Sequence, residues 1–331
     1  MKLPGEIVSK WHLSLAKAIV TLVLLAIVIL LVDFRQVGAV LRSVRWPDML
    51  TAAAAYQVGI LARAWRWQAL LRAQDMQTGY GKLVSLSYVG IFFNAFLPSG
   101  FGGDVVKSYE LSRQTSSTAN AVSTVLADRV MGLAVLLAMA LTVLPLSYQN
   151  LPGAVIATFM ALTVGFFATL VLFLNRPLME WLARHSGPLR KVLSNEKALA
   201  FYDSFSRYSH GALLRSAAAS LLFNITLIVT HVYLARAAAV FIPVTCFFVF
   251  VPILSSLLAL PISVGGFGVR EGGYMLLFGQ VGVTYDRSVA ISLLFYALSV
   301  FTGLLGASLY LWQSAKELRL LKAPRISKPA K

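Results

Sequence analysis

The chain has 331 residues, 58% of them hydrophobic and only 13% charged, and its mean hydropathy is +0.75. Soluble domains carry about 25% charged residues, so this composition excludes a soluble enzyme, a disordered chain and a disulfide-built secreted domain. The 29 Lys and Arg against 13 Asp and Glu lie mostly between apolar runs, where cytoplasmic loops and anionic lipid headgroups account for them without nucleic acid.

Hydropathy and helix breakers predict eight helical segments, at about 12–32, 48–62 (with a continuation to 71), 83–97, 119–146, 153–175, 212–238, 243–261 and 287–313. Four stretches hold no Asp, Glu, Lys or Arg: 130–175, 216–235, 237–269 and 288–315. Each is long enough for one or two crossings of a hydrocarbon core about 30 Å thick. Lys2, Lys10 and Lys17 precede the apolar run 18–32, read here as an uncleaved first helix rather than a signal peptide. The single cysteine, Cys246, sits inside an apolar run and has no partner for an intrachain disulfide.

Charge sets the expected orientation. The linker 176–211 carries Arg176, Arg184, Arg190, Lys191, Lys197 and Arg207 against three acids, whereas 145–152 carries no charge. The positive-inside rule puts the first in the cytoplasm and the second outside. The tail 316–331 has six basic residues and one acid, so both termini are expected in the cytoplasm. Arg35, Arg42 and Arg45 dissent, and 34–46 is read as a short amphipathic helix on the outer interface.

Segment 83–97 begins inside, yet Lys107 and Arg113 after it also favour the inside. A re-entrant hairpin, broken at Leu97-Pro98-Ser99-Gly100-Phe101-Gly102-Gly103, resolves this. Segment 243–261 breaks in the same way at Pro261-Ile262-Ser263-Val264-Gly265-Gly266 and returns outward. The two breaks are one motif: Leu97-Pro98-x3-Gly102-Gly103-x2-Val106-Lys107 matches Leu260-Pro261-x3-Gly265-Gly266-x2-Val269-Arg270 at a constant offset of 163. A plain kink would explain one break but not two with matching basic residues. The expected fold is therefore an all-α polytopic membrane protein forming a single membrane domain over 1–331. Repeat one spans about 12–146 and repeat two about 153–313, with inverted topology, about six full spans and two re-entrant hairpins.

The candidate site residues cluster at the breaks. Asp104 and Lys107 stand i, i+3 on the first returning arm and can pair; Arg270 and Glu271 open the second. Asp128 and Arg129 lie well inside the segment 119–146. Intramembrane charges cost about 2.5–3.5 kcal/mol each even on insertion-based scales, so they face partners or a wet cavity. Structural ion pairing and a functional role both remain open for them. Asn224 and His231 share a helix face, and a lone histidine there is more often hydrogen-bonded structure than a proton relay. Arg63 and Arg66, beside Trp65 and Trp67, read as interfacial anchoring. Enzyme signals are missing: no two acids lie closer than six residues apart, the four histidines lack zinc spacing, and Gly81-Lys82 lacks the rest of a P-loop. No metal and no cofactor is expected.

Asn94-x2-Leu97-Pro98-x3-Gly102-Gly103-Asp104-x2-Lys107, then Asp128-Arg129, then Pro261-x3-Gly265-Gly266-x-Gly268-x2-Glu271 resemble the lysylphosphatidylglycerol synthase transmembrane family. This is the flippase-like domain at the N-terminus of bacterial multiple peptide resistance factors. Lys107 stands where arginine is the commoner residue. The resemblance implies a stand-alone member in a bacterial-type cytoplasmic membrane, without the soluble aminoacyl-transfer domain. It implies a lipid translocase, not an enzyme, holding an anionic or glycosylated headgroup between the hairpins. The expected binding residues are Asn94, Gly102, Gly103, Asp104, Lys107, Asp128, Arg129, Gly265, Gly266, Arg270 and Glu271. The expected partners are membrane lipids of phospholipid or polyprenyl type, with glycosyltransferases or lipid-synthesis proteins as candidate protein partners. The alternative is an accessory or catalytic component of lipid-linked glycan or terpenoid-lipid (hopanoid-like) assembly.

Overall fold

Helix α1 (Ile19–Leu31) is apolar but for Thr21 and ends where Asp33 interrupts the run. The structure, a computed structural model, describes residues 19–96, 102–113, 118–187, 208–260 and 262–322. The chain turns by 80° into α2 (Phe34–Arg42). Asp33 drives that turn: its carboxylate accepts from the amides of Arg35 and Gln36, capping α2, while its own amide donates to Asp286 Oδ1 at 2.7 Å. The amphipathic helix expected over 34–46 is thus present and shorter, buries Val37 alone, and packs on the C-terminal helix described below.

Helix α3 (Trp46–Arg72) starts on Pro47, whose missing N–H is no loss in a first turn. It runs past residue 62 without a break, so Arg63 and Arg66 lie inside it. Then follow α4 (Tyr80–Phe96), α5 (Gly102–Ser112) and α6 (Thr118–Ser147). The second half contains α7 (Gly153–Leu174), the short amphipathic α8 (Arg176–His185), α9 (His210–Ala237), α10 (Val244–Ala259), α11 (Val269–Gly279) and α12 (Tyr285–Lys322). Among the described residues there is no strand. Each expected hydrophobic segment is helical in its described part; residues 97–101 of the first break and Pro261 of the second lie outside the described residues.

Among the described residues four helices are long and apolar enough to cross a membrane: 120–150, α7, α9 and 285–311. The bent α1–α2 pair makes a fifth if it forms one span. Helix α7 makes the solvent plain. Its 22 residues are almost all apolar, yet only Val155, Phe159 and Thr163 are buried, and Val164, Val171 and Leu174 all point outward. Water would not tolerate that face and lipid does. The protein is a multi-pass membrane protein.

The most extensive packing is between α3 and α9, which run antiparallel: Arg45 N donates to the Ala237 carbonyl at one end, and Thr230 Oγ1 approaches the Ala52 carbonyl further along. In the first half α5 lies between α4 and α6, with α3 against α4 and α6; in the second, α11 lies between α10 and α12, with α9 against both of those. Helix α4 also packs closely on α12, where a side-chain carbon on Gly306 would collide with the Tyr88 carbonyl. Tyr88 Oη donates to Gln57 Oε1 at 2.6 Å, and Gln57 Nε2 donates to Thr302 Oγ1 at 3.0 Å, tying α3, α4 and α12 together. The main apolar core, including Phe159, Phe247, Phe250 and Phe278, joins α6 to the helices of the second half.

Candidate functional site

Two polar clusters lie at the starts of α5 and α11. The first is built on α3, α5 and α6. Asn94, near the end of α4, accepts the Gly103 amide on Oδ1 at 2.8 Å and so caps the start of α5. Gly103 is there because nothing larger fits: a Cβ would fall on the Gly90 carbonyl. Asp104, one residue on, forms an ion pair with Arg129 of α6. Lys107 is 3% exposed. Its stem passes over Gly90, and its ammonium lies 5.1 Å from the centre of the Trp67 ring.

Asp128 and Arg129 are consecutive on α6, so their side chains diverge by about 100°. Asp128 faces α3, receiving Arg66 Nε at 2.6 Å and standing 3.5 Å from Arg63 Nε. Arg129 faces α5. Arg66 also covers the Phe223 ring at 5.2 Å and fills the space beside Gly132, where any side chain would strike the guanidinium. Asp104 and Asp128 are thus enclosed by Arg63, Arg66, Lys107 and Arg129. Arg63 opens onto a cavity of about 190 Å³ walled by Tyr56, Ile91, Phe223 and Phe295.

The second cluster is more local. Gly265, Gly266 and Gly268 have φ of 62°, 78° and 78°, left-handed values that side chains resist. They fold the chain back into α11. The Gly268 amide donates to Glu271 Oε2 at 2.7 Å, so Glu271 caps the helix it belongs to. Arg270 donates to Glu271 Oε1 from Nε at 3.0 Å and from Nη2 at 2.6 Å, and to Ser292 Oγ at 3.2 Å. Its guanidinium lies over the Tyr296 ring at 4.4 Å. Helix α1 closes this turn: Thr21 Oγ1 accepts the Val264 amide at 2.9 Å, and a Cβ on Gly268 would sit 2.5 Å from that of Leu24.

The structure therefore brings Asn94, Gly103, Asp104, Lys107, Asp128 and Arg129 together around the start of α5, with Gly102 as its first residue. It gathers Gly265, Gly266, Arg270 and Glu271 separately around the start of α11. Among the described residues no hydrogen bond or ion pair joins the two groups. Two details differ from the sequence reading. Asp104 pairs with Arg129 rather than with Lys107, because α5 turns its carboxylate toward α6. Arg66 is a buried ion-pair partner at 2% exposure rather than an interfacial anchor.

Sequence reasoning missed Arg63, Arg66, Trp67, Ser292 and Tyr296. The available signal was the i, i+3 spacing of two arginines on a helix long enough to continue past them. Asn224 and His231 belong to the packing. Asn224 Nδ2 donates to the Gly132 carbonyl at 3.1 Å, bracing α9 on α6. His231 Nδ1 lies 2.8 Å from the Leu227 carbonyl, with its ring against Phe295 and Tyr274. A fourth buried carboxylate, Asp48, meets Arg45 at 3.3 Å and Arg236 at 3.4 Å toward the other end of the α3–α9 pair. Among the described residues no group of three or more His, Cys, Asp or Glu is placed to hold a metal. The chemistry on offer is charge: guanidinium forks and an ammonium held inside an apolar bundle.

A family model described as "Lysylphosphatidylglycerol synthase TM region" matches residues 14–306. No curated protein and no solved structure matches the chain.

Proposed function

The chain belongs to the lysylphosphatidylglycerol synthase TM family, whose lipid association it shares, and on that premise we propose that it is a lipid translocase. The headgroup, anionic or glycosylated, is bound at the polar turns while the acyl or prenyl tails stay in the bilayer. One observation carries the reading. Helices α5 and α11 each have 11 residues and reach only about 16 Å, half of a hydrocarbon core. Each has glycines at or just before its start, presents a buried basic residue within its first two turns, and lies between its neighbours in the same order in both halves.

Half-length helices meeting at membrane depth, on hairpins entering from opposite faces, are how secondary transporters place binding groups near the midplane. Irregular backbone there needs protein or a wet cavity around it. The antiparallel α3–α9 pair supplies the joint about which one half can rock against the other. The protein performs no bond-making step in this reading. Its site is the bacterial-type inner membrane, with both termini in the cytoplasm.

Reconstitution into vesicles with headgroup-labelled phospholipids tests it. The label should become accessible to a membrane-impermeant quencher beyond the share already in the outer leaflet. Protein vesicles that quench no further than protein-free ones refute translocation. The hairpin layout has its own test. With Cys246 replaced by alanine, Ser112→Cys should react from the cytoplasmic side and Gln280→Cys from the outside. Reaction of both from one face rules out the inverted arrangement.

A further inference from the structure

We infer that the α3–α5–α6 cluster takes a lipid headgroup of net negative charge carried on a phosphate, and turns away one of net positive charge; this rests on the translocase reading above. The charge count makes the case. Among the described residues, Arg63, Arg66, Lys107 and Arg129 face two carboxylates, Asp104 and Asp128, a surplus of two positive charges.

The pairing identifies which cations are in excess. Arg66 holds Asp128 and Arg129 holds Asp104. Arg63 reaches only the second oxygen of Asp128, at 3.5 Å. Lys107, 97% buried, has no carboxylate within ion-pair distance among the described residues, and only the face of Trp67 beneath it. An aromatic face is a partial substitute for a counter-ion. Surplus charge in an apolar interior is costly until an opposite charge arrives.

The second hairpin supplies the internal comparison. Arg270 stands at the position matching Lys107, offset by 163, and there the arginine has its own carboxylate, Glu271, and Ser292 besides. Among the described residues the surplus belongs to the cluster around α5 and not to the repeated motif. One guanidinium fork and one ammonium suit the oxygens of a phosphate. Arg63 also borders the 190 Å³ cavity, whose Ile91, Phe223 and Phe295 walls give an amphiphile apolar surface beside a cation. An aminoacylated headgroup bearing an extra amine would add to the excess charge.

The test uses the purified full chain in detergent, with short-chain phosphatidylglycerol, phosphatidylcholine, lysyl-phosphatidylglycerol and inorganic phosphate as probes. Equilibrium binding should favour phosphatidylglycerol over phosphatidylcholine by at least about tenfold, with lysyl-phosphatidylglycerol no tighter than phosphatidylcholine. Lys107→Gln should lose most of that preference while melting, unliganded, no lower than the parent, because it removes an uncompensated charge. A merely structural lysine would lower the melting point instead. Arg63→Gln, which leaves the Arg66–Asp128 bond in place, should show the same loss of preference and serves if Lys107→Gln does not fold. Lysyl-phosphatidylglycerol binding as tightly as phosphatidylglycerol, or both variants keeping the parental preference, overturns the inference. So does inorganic phosphate binding as well as the lipid, which would make the ligand a small anion. Anion preference without lipid movement in vesicles would leave this inference standing and remove the translocase; movement blind to charge would do the reverse.

Discussion

Asp128→Asn should cost about 3–5 kcal/mol of stability, the expected penalty for removing one partner of a buried ion pair, and much of the folded yield. Asp128 is 3% exposed, and both Arg66 and Arg63 direct their Nε groups at it. An asparagine keeps the shape and one acceptor oxygen but no charge, so two guanidinium groups are left in an apolar bundle. Neither has an alternative. Arg66 is enclosed by Gly132 and Phe223, and Asp104 is already taken by Arg129. Thermal unfolding in detergent, followed by size-exclusion recovery, checks the size of the loss. The double replacement Asp128→Leu with Arg66→Met should recover a large part of it, since an apolar pair of similar volume avoids the desolvation of both charges. If Asp128→Asn melts with the parent, the α3–α6 ion pair is not what holds these helices together.

That cluster also marks where the sequence stops being readable. The helices over the eight segments follow from apolar runs and Gly-Pro breakers, which act locally and can be read locally. Asp128 and Arg129 were visible because two charges inside a run beginning near residue 119 have no cheap explanation. Arg63 and Arg66 were not, because hydropathy scores each charge as a cost to lipid. It cannot see a carboxylate 62 residues away that turns the cost into a bond. The same limit explains Asp104. Its i, i+3 spacing to Lys107 fits a pair on a free helix, and only the packing of α5 between α4 and α6 sends the two side chains to different neighbours. The second turn was more legible because its partners are adjacent: Arg270 and Glu271 satisfy each other within one turn of α11. Thr21, Ser292 and Tyr296, brought in from distant segments, left no trace in the motif.

Gly103→Ala should abolish lipid movement and destabilise the protein by about 1–3 kcal/mol or more, the range for overpacking a filled interior. The added carbon would collide with the carbonyl of Gly90, so the clash is backbone against side-chain root and no rotamer relieves it. Helix α5 must then withdraw from α4. Its withdrawal lengthens the Asn94 Oδ1 bond to the Gly103 amide, and carries Asp104 away from Arg129 and Lys107 away from Trp67. A single methyl group therefore disturbs the whole first cluster without touching a charged residue. Gly272→Ala is the matched control: it sits in α11 with nothing within 4 Å of the new carbon. An alanine inside a helix is favoured over glycine by about 0.5–1 kcal/mol, so this variant should melt at or above the parent temperature. The measurements are paired melts in detergent and paired quenching assays in vesicles. If both alanines melt alike and both move lipid, the α4–α5 contact yields readily, and the placing of Lys107 does not depend on it.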